Sequence, residues 1–415
     1  MNNLFSAEFA SNLDNNNPLS SIREKFNYPE GNSSPTLYFS GNSLGLQPKA
    51  VQSLLVEQSR LWGKYGAKGY FAHWVNFHKH LIEGFLPIVG AQNGEVMLMN
   101  ALTVNLHLLL ISFYQPTIQR HKIIIEKDAF PSDQYAIASQ LELHGYNPKT
   151  SIIKLKPKPN EKCLKTEDII NTIETHGKSL ATVMLGGVNY YTGQKYDMKE
   201  IAKISNKVGA YVGFDLAHAS GNVKLDLHDW NVDFAAWCNY KYLNSGPGAP
   251  SGIFIHNKHS EWNGPRLAGW WGNNISNRFS MDSKFDPIKG AEGWSISNSP
   301  IFSMTPIKAS LDIYNQVGMN NFIKGSQNLT GYLEELIHSI LPKVEIITPK
   351  IKEDRGCQLS MIIKNGKAVQ KYLESNNVVC DWREPDVIRL APNPLYNTYS
   401  EIYKLVSLLN SYDKT

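Results

Sequence analysis

Residues 212–248 read VGFDLAHASGNVKLDLHDWNVDFAAWCNYKYLNSGPG, and this stretch decides the predicted fold. It contains two short apolar runs, the first ending at Asp215 and the second shortly before Lys241. Upstream, β-branched runs alternate with amphipathic patterns, which is typical of βα units in an α/β fold. Ligands of such sheets lie at the carboxyl ends of the strands, so we expect Asp215 and Lys241 to share one site.

Length, composition and charge exclude several classes of function. The chain of 415 residues is long enough for roughly two to three domains. Its net charge is only +4, and the short lysine clusters within residues 154–165 favour a solvated loop over a nucleic-acid site. The most apolar run, residues 106–113, is too short to cross a bilayer. The sequence therefore predicts neither a nucleic-acid partner nor a membrane partner.

The cysteines and the first residues predict a cytoplasmic protein. Residues 1–19 lack the cationic start and apolar core of a secretion signal. The cysteines lie far apart and without CxxC spacing, which is typical of reduced thiols: Cys163, Cys238, Cys357 and Cys380. The histidines of residues 73–80 have no carboxylate at helical ligand spacing, so we expect a surface helix and no metal.

The pattern divides the chain into three segments. In order they are an N-terminal arm that contributes to the small domain, a large α/β domain and a small α+β domain: residues 1–50, 51–305 and 306–415. In the large domain the pattern predicts a strand at Lys122–Glu126 and, after it, a helix with Ser132 or Asp133 near its N-cap. In the small domain, residues 378–383 and 387–391 predict a hairpin.

Asp215 and Lys241 are the candidate reactive side chains. A buried carboxylate needs a cation or good donors. Asp215 therefore either caps the next turn or pairs with a protonated heteroaromatic nitrogen. Lys241 either points at solvent or, among aromatic and apolar neighbours, loses its proton and forms a Schiff base. Neither residue alone identifies a cofactor, but together they indicate pyridoxal 5'-phosphate (PLP). A carboxylate that pairs with the ring nitrogen of PLP makes the ring an electron sink.

PLP also needs a phosphate site and a ring contact. Residues 99–110 predict a helix with Asn100 or Thr103 in its first turn, where free N–H groups suit a phosphate. A plain N-cap is the alternative for this helix start. Phe130 follows a predicted strand, so its ring either stacks on the cofactor or belongs to the core.

Arg389 is the one basic residue within an apolar strand pattern of the small domain. A planar guanidinium holds a carboxylate by two hydrogen bonds, which is the expected grip on the carboxylate of an amino-acid substrate. A structural ion pair with Asp381 or Asp386 is the alternative.

The order of several motifs carries a resemblance to a known family. Residues 214–248 resemble the PLP-lysine region of kynureninases, which belong to the fold-type I, aspartate aminotransferase-like PLP enzymes. Further motifs of that family appear in order along most of the chain: YFSGNSLGLQPK, MNALTVNLHLLL, AFPSDQYAI, GVNYYTGQ, LAGWWGN, SISNSPI, RGCQLS and VIRLAPNPLYN. The resemblance implies the fold-type I PLP-dependent transferase fold, whose large domain has a mixed, mostly parallel sheet flanked by helices.

The resemblance also implies roles for individual residues. Lys241 would bind the cofactor covalently and remove the Cα proton, and Tyr240 would bind the phosphate and act as a candidate acid. Arg389 would bind the substrate carboxylate, and Asn298 would reach the cofactor or substrate across a homodimer interface. The remaining cofactor-binding positions are Leu102, Thr103, Phe130, Pro131, Ser132, Asp133, Asp215, His218 and, across the same interface, Trp270.

The implied reaction is hydrolytic cleavage of the Cβ–Cγ bond of L-kynurenine to anthranilate and L-alanine, or of the 3-hydroxy form to 3-hydroxyanthranilate. One alternative is another fold-type I enzyme, such as an aminotransferase or a cysteine desulfurase. Those families commonly have His before the lysine, whereas this chain has Tyr240. A catalytically silent PLP-binding module is a further alternative, although Lys241, Asp215 and Arg389 are all present.

Three positions depart from the pattern of the family. Gly186 stands where related sequences often have Ser, and Asn273 replaces a frequent His. Ala67 stands where animal members have a substrate-facing His. The change at Ala67 leaves the choice between kynurenine and 3-hydroxykynurenine open.

Overall fold

The computed structural model describes residues 6–31 and 36–413. Part of the predicted N-terminal arm, including the start of the segment without a secretion signal, lies outside these ranges. The helices are α1 (Ala7–Asn15), α2 (Ala50–Tyr65), α3 (Phe77–Val89), α4 (Leu102–Phe113), α5 (Pro131–Leu143), α6 (Pro148–Ser151), α7 (Thr166–His176), α8 (Met198–Lys207), α9 (Ile275–Arg278), α10 (Ile301–Val317), α11 (Met319–Ile340), α12 (Gly366–Ser375) and α13 (Tyr399–Asp413). The strands are β1 (Phe26–Asn27), β2 (Leu37–Tyr38), β3 (Gln47–Pro48), β4 (Val96–Met99), β5 (Lys122–Glu126), β6 (Ile152–Leu155), β7 (Leu180–Gly186), β8 (Tyr211–Asp215), β9 (Phe234–Trp237), β10 (Ser251–Ile255), β11 (Glu345–Ile346), β12 (Leu359–Ile362), β13 (Val378–Val379), β14 (Asp381–Arg383) and β15 (Val387–Leu390).

A seven-stranded sheet forms the centre of the molecule. Its order is β4-β10-β9-β8-β7-β5-β6, and only β10 runs against its neighbours, so the sheet is mixed and mostly parallel as predicted. Alternate side chains of a strand point to opposite faces. Accordingly, Ile124 packs into one apolar core, while Ile123 and Ile125 pack into a second core on the other face. Both faces are buried, which explains why these strands are continuous apolar runs.

The second sheet has four antiparallel strands in the order β11-β12-β15-β14. It contains the predicted hairpin of β14 and β15. The predicted strand at residues 378–383 is divided, however, because β13 pairs in parallel with β2. Leu37 and Phe39 pack with Leu333 and Ile388 in a third apolar core.

The predicted boundary between residues 305 and 306 falls inside the continuous helix α10. Ile307 and Leu311 of this helix pack in one of the two cores of the central sheet. The change of core lies further along, within α11, because Phe322 still contacts the same core and Leu329 belongs to the third core. The division of the chain into three segments stays a prediction.

The structure defines the starts of two predicted helices. Residues 96–99 form β4, so α4 begins only at Leu102, and Asn100 lies in the connecting turn with a φ of 48°. The N-cap of α5 is Phe130, and Pro131 is its first residue, where a missing N–H costs nothing. Ser132 and Asp133 lie in the first turn of α5, near its N-cap as predicted, although neither is the cap residue.

The prediction of a surface helix around the histidines holds for His73 and His80, which are exposed, but not for His78. His78 in α3 is buried, with an exposure of 1%, and its Nε2 lies 3.4 Å from Glu292 Oε1. Within the described ranges, no helix is both long enough and apolar enough to span a bilayer.

Candidate active site

A cavity of about 670 Å³ lies at the carboxyl ends of the central strands. Its lining comes from α4, α5, the ends of β5, β7 and β8, the loop after β9, the N-terminal arm and the small domain. The sequence-predicted residues that line it are Leu102, Thr103, Phe130, Ser132, Asp133, Asp215, His218, Tyr240, Lys241 and Arg389. Among the described residues, Pro131, Trp270 and Asn298 lie outside this lining.

Lys241 projects into the cavity from the segment that follows β9. Its Nζ lies 3.0 Å from Nε2 of His218 and 5.9 Å from the ring centroid of Phe130. Burial, and then the nearby Lys241 charge, lower the pKa of His218 well below its usual value. A neutral imidazole can accept a hydrogen bond from Lys241 Nζ, and this contact fixes the direction of the lysine side chain.

Asp215 ends β8 and lies on the floor of the cavity. Its Oδ1 accepts a hydrogen bond from the backbone N–H of Ala217 at 2.7 Å, so the capping interpretation is correct for this oxygen. The carboxyl of Asp133, from the first turn of α5, also hydrogen-bonds Asp215. Burial raises the pKa of both acids, and Lys241 lowers that of Asp215. Asp133 thus holds the proton of the pair and donates to the Asp215 carboxylate.

Glu126 is a third buried carboxyl at the floor, and the sequence analysis missed it. It ends β5, and its Oε1 accepts a hydrogen bond from the backbone N–H of Gly186 at 2.8 Å. Burial raises the pKa of Glu126 to about 7, and the Asp215 charge contributes in the same direction. The pattern that identified Asp215, an apolar run that ends in an acidic residue, is also present at Glu126.

The start of α4 supplies a cradle for an anion. Leu102 and Thr103 are its first residues, and among the described residues no side chain caps this end. First-turn N–H groups have no partner within the helix. Tyr240 lies on the same cavity wall, and burial raises its pKa, so its phenol keeps the proton and is available as a donor.

Arg389 lines the opposite end of the cavity and is almost fully buried, with an exposure of 1%. It forms an ion pair with Asp381 on the neighbouring strand β14, and it donates to the backbone carbonyl of Tyr190 at 2.6 Å. The structural ion pair was one of the two interpretations of this residue. Its Nε is buried and has no hydrogen-bond partner among the described residues.

Trp270 and Asn298 lie on an exposed face instead. Trp270 donates its Nε1–H to the carbonyl of Arg278 at 2.7 Å, and about half of the residue is exposed. Asn298 is exposed and hydrogen-bonds Tyr70. Tyr242, by contrast, packs in the core, with an exposure of 1%.

The three departures from the family pattern have different surroundings. A Cβ at Gly186 would lie 3.2 Å from Glu126 Oε1, so any side chain there would press on the floor of the cavity. Asn273 is buried, and its Oδ1 accepts a hydrogen bond from the N–H of Asp286. Ala67 is exposed and does not line the cavity.

One group outside the cavity has potential metal ligands close together: Glu95, His228 and His256. The ligand atoms already have protein partners. Glu95 Oε1 accepts from the N–H of Asn257 and contacts His228 Nδ1, each at 2.8 Å. His256 Nδ1 accepts from the N–H of Lys258. The cluster is therefore explained as a hydrogen-bonded structural network.

The chain has the fold-type I fold that the resemblance implied. It is similar to the solved structure of a cysteine desulfurase from Thermococcus onnurineus NA1, with a TM-score of 0.75 and 15% identity over 91% of this chain and 95% of that one. That likeness concerns the fold, and the family follows from sequence.

The chain belongs to the kynureninase family. It is 49% identical to the kynureninase of Flavobacterium psychrophilum over 97% of each chain. It is 45% identical to that of Xanthomonas campestris pv. campestris over 99% of each. The family profile of the kynureninase C-terminal domain matches residues 323–409. The family predicted from the ordered motifs is thereby confirmed.

Proposed function

We propose that this chain is a PLP-dependent kynureninase that cleaves the Cβ–Cγ bond of L-kynurenine or its 3-hydroxy form by hydrolysis. The products are anthranilate, or 3-hydroxyanthranilate, and L-alanine. One observation carries the proposal: Lys241, the Asp133–Asp215 pair and Arg389 line a single cavity. Such a cavity combines a covalent anchor, an acidic floor and a guanidinium for a substrate carboxylate.

The residues present fit PLP. The uncapped start of α4 and the Tyr240 phenol suit the phosphate. The ionised Asp215 suits a protonated ring nitrogen, because a buried carboxylate requires a cation. Phe130 forms one wall of the cavity, which suits contact with the ring, and Ser132 lies beside it. When bound, PLP supplies an electron sink for charge that develops at the substrate carbon.

The chain's own residues then hold and move protons. The Nζ of Lys241 is the base for the Cα proton, and the neutral His218 at 3.0 Å orients it. The raised pKa of Tyr240 keeps a proton on its Oη, so this phenol is a candidate proton donor to the substrate's Cβ, which stays with the alanine product when the Cβ–Cγ bond breaks. Arg389 holds the substrate carboxylate and thereby sets which bonds face Lys241.

The test uses purified protein. It should be yellow, and borohydride should fix the cofactor on Lys241, as peptide mass mapping would show. Adding L-kynurenine should release anthranilate, which is followed by its fluorescence. A colourless protein, or one that leaves L-kynurenine uncleaved, contradicts the proposal. Comparing kcat/KM for L-kynurenine and its 3-hydroxy form then decides the preferred substrate.

We also propose that the protein is a homodimer with the active site at the interface. Five aromatic residues, which we call the aromatic face, are each 44–63% exposed: Trp62, Phe71, Trp270, Phe279 and Phe302. Their rings pack in two groups, Trp62 with Phe302, and Phe279 with Phe71 and Trp270. Contiguous exposed apolar patches mark interaction sites. The face is continuous with the cavity, because Pro300 and Ser303 next to Phe302 line the cavity. Trp270 belongs to this face, which supports a role for it in the partner's site.

Sedimentation tests the dimer. Phe71→Asp should convert the dimer to monomer and reduce activity, because a carboxylate would be buried in an apolar interface. Ile118→Asp is the control, since Ile118 is 91% exposed and lies outside this face. A wild-type monomer with full activity would contradict the dimer and leave the proposed reaction untouched.

A cytoplasmic location completes the proposal. All four cysteines are free, and three of them are buried. Unpaired thiols are typical of a reducing compartment. Cell fractionation should place the protein with cytoplasmic markers, and recovery in a periplasmic or secreted fraction would contradict this part.

A further inference from the structure

At the small-domain end of the cavity, Arg389 and its ion-pair partner supply no net positive charge for a substrate carboxylate. Arg389 already pairs with Asp381, and the side chains of both are at most 11% exposed. A neutral pair has no net charge with which to attract the carboxylate of a substrate. A second carboxylate beside Asp381 would also meet a like charge, which disfavours it.

Arg383 supplies a further positive charge at this end of the cavity. It lies two residues from Asp381 on β14 and also lines the cavity. Its NH1 contacts Asp381 Oδ1 at 2.5 Å, and its NH2 contacts Oδ2 at 3.2 Å. Oδ2 is the same oxygen that Arg389 contacts, so one carboxylate bridges two guanidinium groups.

Ser43 from the N-terminal arm completes the cluster. Its hydroxyl donates to Asp381 Oδ2, and its Oγ lies 3.3 Å from NH2 of Arg389. The two arginines and one aspartate carry a net charge of +1, which matches one substrate carboxylate. Without Arg383 the remaining pair would be neutral.

We propose that Arg383 is a positioning residue for the substrate: it neutralises Asp381 and so leaves the charge of Arg389 available to the substrate's α-carboxylate. This inference rests on the proposed function. It concerns the net charge of the residues that would bind the substrate's α-carboxylate. Arg389 remains the residue that touches the substrate. The side chain of Arg383 is 37% exposed, so salt screens part of its effect.

The test measures binding of L-alanine, the small amino-acid product, to the PLP-loaded protein through the change in cofactor absorbance. L-alaninamide is the matched probe, because it lacks the negative carboxylate. The variants are Arg383→Gln, Arg383→Lys, Asp381→Asn and the double variant Asp381→Asn/Arg383→Gln. Arg355→Gln is the control, since Arg355 is a buried arginine paired with Glu334 outside the cavity.

Arg383→Gln should weaken L-alanine binding about tenfold or more at low salt, which corresponds to about 1.4 kcal/mol, and leave L-alaninamide within about twofold. Arg383→Lys should keep the affinity. The double variant restores the net charge of +1, so it should recover binding. Unchanged alanine binding in Arg383→Gln, equal losses for both probes, or no recovery in the double variant would overturn the proposal.

Asp381→Asn provides a second test in case Arg383→Gln misfolds. If Arg383→Gln fails to fold or to hold PLP, Asp381→Asn alone decides, because removing the negative charge should leave alanine binding as tight as in the wild type or tighter. Weaker binding would overturn the charge account. Alanine binding does not require cleavage of kynurenine. A protein that binds alanine as described and releases no anthranilate therefore contradicts only the proposed reaction.

Discussion

The two ends of the cavity have opposite electrostatic character. At the floor, three buried carboxyl groups, Glu126, Asp133 and Asp215, face a single Lys241. At the small-domain end, Arg383 and Arg389 share a single Asp381. Because Asp133 is protonated and burial raises the pKa of Glu126, Asp215 is the carboxylate at the floor that suits a cation, whereas the net charge of +1 at the small-domain end suits an anion.

This contrast explains how the site orients its ligands. In the proposed site, a protonated ring nitrogen would be stabilised at the floor and a substrate carboxylate at the small-domain end. Lys241 and His218 lie at the floor beside Asp215, and the Arg383 and Arg389 charges help to lower the pKa of His218. The two ends would therefore bind different parts of the ligands, while the arginine charges at one end still affect the pKa of His218 at the other.

Lys241→Ala should have the largest effect, because it removes both the covalent anchor and the base. We expect a loss of kcat of about a thousandfold or more and no borohydride-fixed cofactor. Lys224→Ala is the control, since that lysine is exposed and pairs with Asp226. Stopped-flow assays of anthranilate release measure the loss. Activity within tenfold of wild type would show that another residue does this work.

Asp215→Asn should have the next largest effect by removing the charge of the floor. The cofactor affinity should fall, and kcat/KM should drop by about a hundredfold, comparable to the loss of a charged hydrogen bond in a buried site. Asp233→Asn is the control, because Asp233 is buried at the other end of the sheet and accepts from the N–H of Val212. That control should lower stability and spare the cofactor affinity; loss of PLP in both variants would contradict a specific role.

Arg389→Ala should act on the opposite end. It should raise KM for L-kynurenine by roughly tenfold to a hundredfold and leave PLP bound. The buried arginine control, Arg355→Ala, should lower the unfolding temperature without raising KM. Loss of cofactor from Arg389→Ala, with KM unchanged in the remaining holoenzyme, would contradict a carboxylate role.

Glu126→Gln should have the smallest effect on activity and a clear effect on the pH dependence of stability. The pKa of Glu126 is about 7 in the folded protein against an ordinary 4.5, so the folded state binds its proton more tightly. Stability therefore falls as pH rises from 4.5 to 7. In the cofactor-free protein at pH 8, the free energy of unfolding of Glu126→Gln should exceed that of the wild type by up to roughly 3 kcal/mol.

Urea unfolding at pH 5 and pH 8 checks this expectation. The gain of Glu126→Gln should be small at pH 5 and large at pH 8. An equal difference at both pH values would mean that Glu126 does not titrate in this range.

The sequence predicted the floor of the site better than its opposite end. Asp215 and Lys241 could be found because apolar strands deliver them to one edge of a sheet, and strand order follows from the βα pattern. Arg389 stood out for the same reason. Glu126 carried the same strand-end signal and was overlooked.

Arg383 gave no comparable signal, and Asp381 was predicted only as a possible ion-pair partner of Arg389. They lie on a short, half-exposed strand, and their importance comes from pairing across β14 and β15 and from a serine of the N-terminal arm. A local sequence pattern indicates burial, whereas the contact of Asp381 with Ser43 joins residues more than 300 positions apart. The burial of His78 depends in the same way on a distant partner, Glu292.

The central claim, hydrolytic cleavage at a PLP site, is tested most directly by counting products. Purified holoenzyme is incubated with L-kynurenine, and anthranilate, L-alanine and keto acids are quantified in the same samples. The account predicts anthranilate and L-alanine in equal amounts, with little keto acid. A keto acid as the main product, with little or no anthranilate, would show transamination and contradict the account.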